Sequence, residues 1–224
     1  MNAIQISNSA LYEFHSTQSL VDEVYHQILN TTLSYGNNTP PGEKIDSYSM
    51  NGYVLTEAGL TFFHNENLFN WFNDCLRQVA SQHFSRNHIQ ICDLWIMKQT
   101  FGERSARHIH TNSIFSGLYY LTDQESSETV FYFDDPVYNF FSPFYDTLVK
   151  QKPYTYISKP KAGKLLIWPS YLPHSVNVLK EKNTRYSISF NTMLSGLISG
   201  DRTGYCDVRI NPVNNPNYII KPKS

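Results

Sequence analysis

The feature that most constrains this chain is a trio of histidines followed by an arginine, each set in a strand-like segment. His108-Ile109-His110-Thr111-Asn112-Ser113 runs into Ser116-Gly117-Leu118-Tyr119-Tyr120-Leu121. Side chains alternate faces along an extended backbone, so His108 and His110 point to one side. Two neutral imidazoles converging from one strand end are a ready pair of metal ligands. With eight histidines in the chain, an H-x-H arises easily by chance, and it gains weight from two later segments. Gly163-Lys164-Leu165-Leu166-Ile167-Trp168-Pro169-Ser170 leads through Leu172-Pro173 to His174-Ser175-Val176, and the run closes in Thr184-Arg185-Tyr186-Ser187-Ile188-Ser189-Phe190-Asn191. The third histidine lies between two apolar strands, and the arginine heads the second of them. Arg185, Ser187 and Ser189 share one face of that strand, while Tyr186, Ile188 and Phe190 share the other. An inner face of guanidinium and hydroxyls is odd for a plain core. It reads as the lining of an anion pocket, because these groups together clasp a carboxylate.

The chain's 224 residues suffice for one sizeable domain with a full core. A hydrophobic fraction of 41% and a charged fraction of 17% describe a globular protein rather than a disordered one. A formal net charge of −1 offers no electrostatic case for nucleic acid or an anionic membrane. No run approaches the length of a transmembrane helix, and the first residues lack the basic start and apolar centre of a signal peptide. Cys75, Cys92 and Cys206 are sparse and odd in number, which predicts reduced thiols and a cytoplasmic protein. Abundant Asn, Tyr, Ser and Ile suit an AT-rich microbial or viral genome, and for a virus the compartment becomes the host cytoplasm. Cys75 and Cys92 each lie in an apolar periodic segment and read as structural.

Taken in order, residues 3–15 read as one or two short strands. Ser16 or Thr17 caps a helix over about 17–30, with Leu20, Val21, Val24, Tyr25, Ile28 and Leu29 as its apolar stripe. Residues 31–47 read as a loop and Ser49–Leu60 as extended or irregular. A second helix over about 65–84 carries Leu68, Phe69, Trp71, Phe72, Leu76, Val79, Ala80 and Phe84 on a broad apolar face meant to lie across a sheet. From Ile89 onward the segments are short and β-rich: 89–100, 113–122, 128–134, 154–158, 163–168, 174–179 and 184–193. Strands in series after two helices predict an α+β, mainly β domain whose sheets form a sandwich or barrel. The expected organisation is a single domain over 1–224, with N-terminal strands and helices (1–88), a β core (89–193) and a C-terminal extension (194–224). The aromatic stretch 135–152 reads as core padding or a lid, and 199–224 as a surface wrap or a subunit contact, so a homodimer is open. His15, His26, His64, His83 and His88 read as surface or cap residues. Trp95 and Trp168 read as core, and Gly117 and Gly163 as a close approach and a turn.

The spacing H-x-H, then H, then R-x-S resembles the iron(II)- and 2-oxoglutarate-dependent oxygenases. The likeness is sharpest to a small family in that group, which shares an H-x-H-x-N-S-x-x-S-G-x-Y-Y-L pattern, a later G-x-L-x-x-x-P-S-x-x-x-H-S-V and a closing R-x-S-I-S-F-N. His108, His110, Asn112, Ser113, Ser116, Gly117, Tyr119, Tyr120 and Leu121 supply the first pattern. Gly163, Leu165, Pro169, Ser170, His174, Ser175 and Val176 supply the second, and Arg185 to Asn191 the third. The resemblance covers roughly residues 90–193. It implies a double-stranded β-helix, or jelly-roll, with helices packed on one sheet. It implies Fe(II) as metal, 2-oxoglutarate as cosubstrate and O2 as oxidant.

The resemblance also implies roles. His108 and His174 match the two histidines of the family's facial triad. His110 stands where most relatives carry an aspartate or glutamate, although the small look-alike family has histidine there. A neutral imidazole offsets none of the metal's charge, so a three-histidine face bound to dianionic 2-oxoglutarate would be neutral overall. If His110 does not ligate, its position falls to water or to a carboxylate from elsewhere, with Glu103, Asp123 and Asp134 as candidates. Arg185 matches the residue that pairs with the distal carboxylate of 2-oxoglutarate, with Ser187 its hydroxyl partner. Tyr120 falls where prolyl hydroxylases place a tyrosine in a similar Tyr-Tyr-Leu strand, reaching the same carboxylate. Thr100 and Asn112 are weaker candidates for the cosubstrate or for orienting the imidazoles. The implied reaction is oxygenation, most simply hydroxylation, of a small molecule or peptide side chain with release of succinate and CO2. A three-histidine cupin-type dioxygenase that needs no oxo acid competes with it, as does a non-catalytic jelly-roll binding metal or ligand. A carboxylate clasp at Arg185 and Ser187 has no purpose in the first of those alternatives.

Overall fold

The computed structural model describes residues 2–6, 9–30, 32–35, 48–56, 59–62, 65–83, 88–133, 154–198 and 208–210. Two helices form where the apolar residues recur at a helical period. Helix α1 (Gln18–Leu29) is capped by Thr17, whose hydroxyl accepts from the Leu20 N–H at 3.3 Å. Helix α2 (Glu66–His83) begins after Asn65, whose side-chain oxygen accepts from the Leu68 N–H at 2.8 Å. The amide nitrogen of Asn65 turns to α1 and donates to Glu23 and Gln27 at 2.8 and 2.9 Å. One buried side chain therefore starts the second helix and fastens it to the first.

The strands are β1 (Asn2–Ile6), β2 (Ser9–His15), β3 (Thr32–Tyr35), β4 (Tyr48–Thr56), β5 (Gly59–Phe62), β6 (His88–Gln99), β7 (Ser105–His108), β8 (Phe115–Tyr120), β9 (Thr129–Phe133), β10 (Tyr154–Ser158), β11 (Lys164–Pro169), β12 (His174–Val176), β13 (Arg185–Ile198) and β14 (Val208–Ile210). The large sheet runs β1-β2-β11-β8-β13-β6-β4-β3, with β5 and β14 joined to β4 and β13; the small sheet runs β10-β9-β12-β7. From β6 to β13 the chain passes back and forth between the sheets, and every described pairing is antiparallel. This is the jelly-roll that the motifs imply.

The central strands β8 and β11 of the large sheet are buried on both faces, which explains their apolar sequences. Phe115 and Tyr119 of β8, Leu165 and Ile167 of β11, and Ile188 and Phe190 of β13 pack under α1 and α2. On the opposite face Leu118, Tyr120, Leu166 and Trp168 meet Phe131 and Phe133 of the small sheet. Gly117 is required by a close approach: a Cβ there would lie 2.1 Å from the Phe190 ring. Gly163 has a φ of +83°, the left-handed turn conformation that glycine adopts without strain.

Three strand assignments depart from the sequence reading. Thr32–Tyr35, inside the expected loop, pairs with β4. β7 (Ser105-Ala106-Arg107-His108) carries no hydrophobic signal and β14 (Val208-Arg209-Ile210) only one short alternation, and each forms because β12 or β13 offers it a partner. Cys75 is buried as expected, but Cys92 is exposed beside the bulge where β6 loses register with β13, so its periodic setting did not bury it. The aromatic stretch 135–152 and Cys206 lie outside the described residues. Among the described residues no helix is long and apolar enough to cross a membrane.

Candidate metal centre and anion pocket

β7 and β12 pair so that His108 sits directly opposite His174. His110 follows β7 and is pinned by its backbone N–H, which donates to the Ser170 carbonyl at 3.0 Å. The Pro169-Ser170 turn thus does more than redirect the chain. The Ser170 hydroxyl contacts those of Ser113 and Ser116 at 2.7 and 2.8 Å, locking the segment after His110 to the turn before His174. The result is one potential ligand nitrogen from each of His108, His110 and His174, all within 4.8 Å of one another.

The ring orientations suit a metal. His108 Nδ1 lies 2.8 Å from the Ala106 carbonyl and His174 Nδ1 lies 3.0 Å from the Leu172 carbonyl. A carbonyl only accepts, so both rings carry the proton on Nδ1 and present a bare Nε2. His110 Nε2 stands 3.2 Å from His174 Nε2. Two nitrogens that close need a cation or a shared proton between them, and cis ligands at about 2.1 Å from one ion stand about 3 Å apart. Burial, then the neighbouring His108, push His110 down to about 4 and His174 down to about 3. Both rings are therefore neutral at neutral pH, the form that ligates. Glu103 instead caps the turn at Thr100 through a 2.6 Å bond to its N–H, and Asp123 is bound by Lys161 and the Ala162 N–H. Neither is brought to the histidines, and Asp134 lies outside the described residues.

A second polar group is built on β6, β8 and β13, around Arg185. Arg185 is 1% exposed, and its Nη1 donates to Gln99 Oε1 at 3.3 Å. Its Nε and Nη2, together with the Ser187 hydroxyl, are buried without a hydrogen-bond partner among the described residues. An arginine buried without a counter-ion is costly, and so are orphaned donors, unless an anion belongs against them. Two parallel N–H groups and a hydroxyl fit one carboxylate. The Arg185 guanidinium lies 5.2 Å from the centre of the Tyr120 ring, and the Tyr120 hydroxyl contacts Thr129 Oγ1 at 2.7 Å. The residues present thus fit both a divalent metal and an acidic cosubstrate.

Of the sequence candidates, His108, His110 and His174 come together, and Arg185, Ser187 and Tyr120 form a second group facing the same interior. Thr100 and Asn112 are placed otherwise. Thr100 is tied up in its turn with Glu103, and Asn112 is exposed with a φ of +56°, so a left-handed turn accounts for it. The residue next to Arg185 is Gln99, paired with it in register and 1% exposed. Gln99 stands one position before Thr100 and was not among the sequence candidates; one position along a strand turns a side chain to the other face. Lys164 was also missed. It is buried, with Nζ 5.4 Å from the Tyr120 ring centre and donating to Ser158 at 2.8 Å. Its place in an apolar strand was the available signal. Trp168 is core, as expected; Trp95 is half-buried and belongs to neither apolar cluster.

The comparisons agree with this geometry. Residues 93–191 match the model of a family described as "Putative 2OG-Fe(II) oxygenase". No curated protein sequence matches the chain. Among solved structures it is similar to an oxidoreductase of the 2OG-Fe(II) oxygenase family from Burkholderia pseudomallei, at 13% identity and a TM-score of 0.58, covering 81% of this chain and 84% of that one. A prolyl hydroxylase from Trichoplax adhaerens, solved with a hypoxia inducible factor peptide fragment, gives 16% identity and 0.55, covering 82% and 83%. HygX from Streptomyces hygroscopicus, solved with nickel and 2-oxoglutarate, gives 11% and 0.50, covering 81% and 82%. At these identities the structures speak to the fold alone. The family match spans β6 to β13, the part of the chain that carries the three histidines and Arg185, and the solved structures share the fold.

Proposed function

We propose that the protein is an Fe(II)- and 2-oxoglutarate-dependent dioxygenase that hydroxylates a small molecule or a peptide side chain. The observation that carries this reading is the pairing of three converging imidazoles with an arginine whose buried N–H groups are left over. His108, His110 and His174 would hold the metal, and Arg185 with Ser187 would hold the distal carboxylate of the oxo acid. When bound, iron and the oxo acid together activate O2 for oxidation of a C–H bond, with succinate and CO2 as co-products. The chain's own contribution is positional. The carbonyls of Ala106 and Leu172 fix two ring tautomers, Gln99 turns Arg185 inward, and the apolar walls of Phe131, Leu118 and Trp168 exclude water. Three neutral imidazoles bring no negative charge, so the dianionic oxo acid is what balances the metal.

A three-histidine dioxygenase that needs no oxo acid has no use for a buried cation with spare donors, and Arg185 counts against it. The Trichoplax enzyme's peptide supports a peptide as one kind of substrate. Anaerobic addition of Fe(II) and 2-oxoglutarate should give a visible metal-to-ligand charge-transfer band that Arg185→Ala abolishes at the same ligand concentration. Absence of any band in the wild-type protein would overturn the proposal.

A further inference from the structure

The inner face of β6 continues past the cosubstrate pocket. Gln99, Met97, Trp95 and Asp93 follow one another on it, opposite Arg185, Ser187, Ser189 and Asn191 of β13. Gln99 and Arg185 form the anion end. Trp95 lies four residues further on, about 13 Å along the strand. Its ring centroid is 5.5 Å from that of His110, so it borders the histidine cluster. A half-buried indole outside both apolar clusters contributes little to packing. It offers an aromatic face at the metal-facing wall.

One rung beyond is Asp93. Its carboxylate accepts from the Leu94 N–H, and among the described residues no cation is paired with it. The surrounding walls raise it above the ordinary carboxylate range while its side chain remains open to solvent. The side chain opposite does not neutralise it, since Asn191 Oδ1 is occupied by the Ser116 hydroxyl at 2.8 Å. Among the described residues the row therefore runs from a cation with spare donors to a carboxylate without a paired cation, with an indole that touches His110 between them.

We propose that Trp95 and Asp93 form the primary-substrate subsite and that it takes a cationic group, an alkylammonium or a guanidinium, held against the indole and ion-paired to Asp93. The proposal rests on the oxygenase reading for its orientation, because that reading assigns the Arg185 end to the oxo acid. Indole is the most favourable side chain for a cation, and the Asp93 carboxylate, on the same face of the strand two residues on, supplies the opposite charge. The chemistry is the same whether the cation belongs to a free amino acid or to a residue within a peptide.

The test is calorimetric binding to the full chain with Mn(II) and 2-oxoglutarate added. The first pair of probes is Nα-acetyl-lysine methylamide and its uncharged analogue Nα-acetyl-norleucine methylamide. The second is Nα-acetyl-arginine methylamide and Nα-acetyl-citrulline methylamide. Free lysine and arginine form another arm, which separates a small-molecule source from a peptide one. At least one cation should bind about tenfold more tightly than its neutral partner. Asp93→Asn, which keeps the shape of the side chain, should erase that preference; Trp95→Leu should weaken it and Trp95→Phe should keep part of it. Equal affinity for both members of each pair, or no binding by either cation, overturns the subsite. A separate titration with 2-oxoglutarate alone reports on the oxygenase reading. If it still binds while the cations do not discriminate, only the subsite fails; if it does not bind, the functional assignment fails and the probe titrations judge the subsite on their own.

Discussion

Gln99 Oε1 accepts from Ser127 Oγ at 2.7 Å and from Arg185 Nη1 at 3.3 Å, while its Nε2 donates to the carbonyls of Glu103 and Asn177 at 2.6 and 3.3 Å. The amide is saturated and its orientation is fixed. It uses one end of the guanidinium and leaves Nε and Nη2 for a ligand. Replacing it with leucine frees the guanidinium to rotate and should weaken 2-oxoglutarate about tenfold, a loss of roughly 1.4 kcal/mol. Gln99→Glu should weaken it further, because Arg185 then acquires an internal counter-ion. Both are read from anaerobic titration of the charge-transfer band. At the metal, His174→Ala removes the most buried of the three rings and should abolish tight Mn(II) binding in calorimetry. Asn112→Ala should leave that binding within about twofold, as expected for an exposed turn residue.

The secondary elements locate the site through register and two small contacts. β7 is nearly all exposed and polar, and only its pairing with β12 sets His108 opposite His174. β8 must pass close beneath Phe190 to bring Tyr120 opposite Ser187, and Gly117 makes that possible. Gly117→Ala should cost about 3 kcal/mol in denaturant unfolding, and Phe190→Leu in the same chain should recover part of the loss. Asn65→Ala removes both a helix cap and the tie to α1, and should cost about 1–2 kcal/mol without changing 2-oxoglutarate affinity. The short strands β3, β7 and β14 are illegible in the sequence for a physical reason. Each has three or four residues, too few for an alternation to stand out, and a partner's free edge decides whether it forms. The long strands β6, β8, β11 and β13 were legible because burial on one or both faces selects their side chains.

For the molecule as a whole, the histidine cluster couples folding to pH and to metal. Burial holds His110 down to about 4 and His174 down to about 3, against about 6.5 in an unfolded chain. Between those values the unfolded chain binds protons that the folded one refuses, so the metal-free protein loses stability as pH falls below about 6.5. The loss levels off once the folded rings also protonate, near pH 4 and then 3. The melting temperature should follow that curve, with a shallower slope in His174→Gln. Saturating Mn(II) near neutral pH should raise the melting temperature, a chelator should reverse the rise, and the gain should vanish in acid, where protons displace the metal. No effect of metal on the melting temperature would argue that the three rings do not share one ion.

By itself the sequence determined the chemical inventory: an H-x-H, a later histidine and an R-x-S strand with polar and apolar faces. It also determined two amphipathic helices and the apolar strands that demand covering. These are local properties, written in side-chain type and periodicity. The tertiary structure decided what the inventory adds up to. It decided that His108 meets His174 across a strand pair, that Gln99 holds Arg185, and that Cys92 is exposed. It also set Trp95 beside His110 instead of in the core. Each depends on strand register, where a shift of one residue turns a side chain to the opposite face, and register is settled by the whole sheet rather than by any one strand.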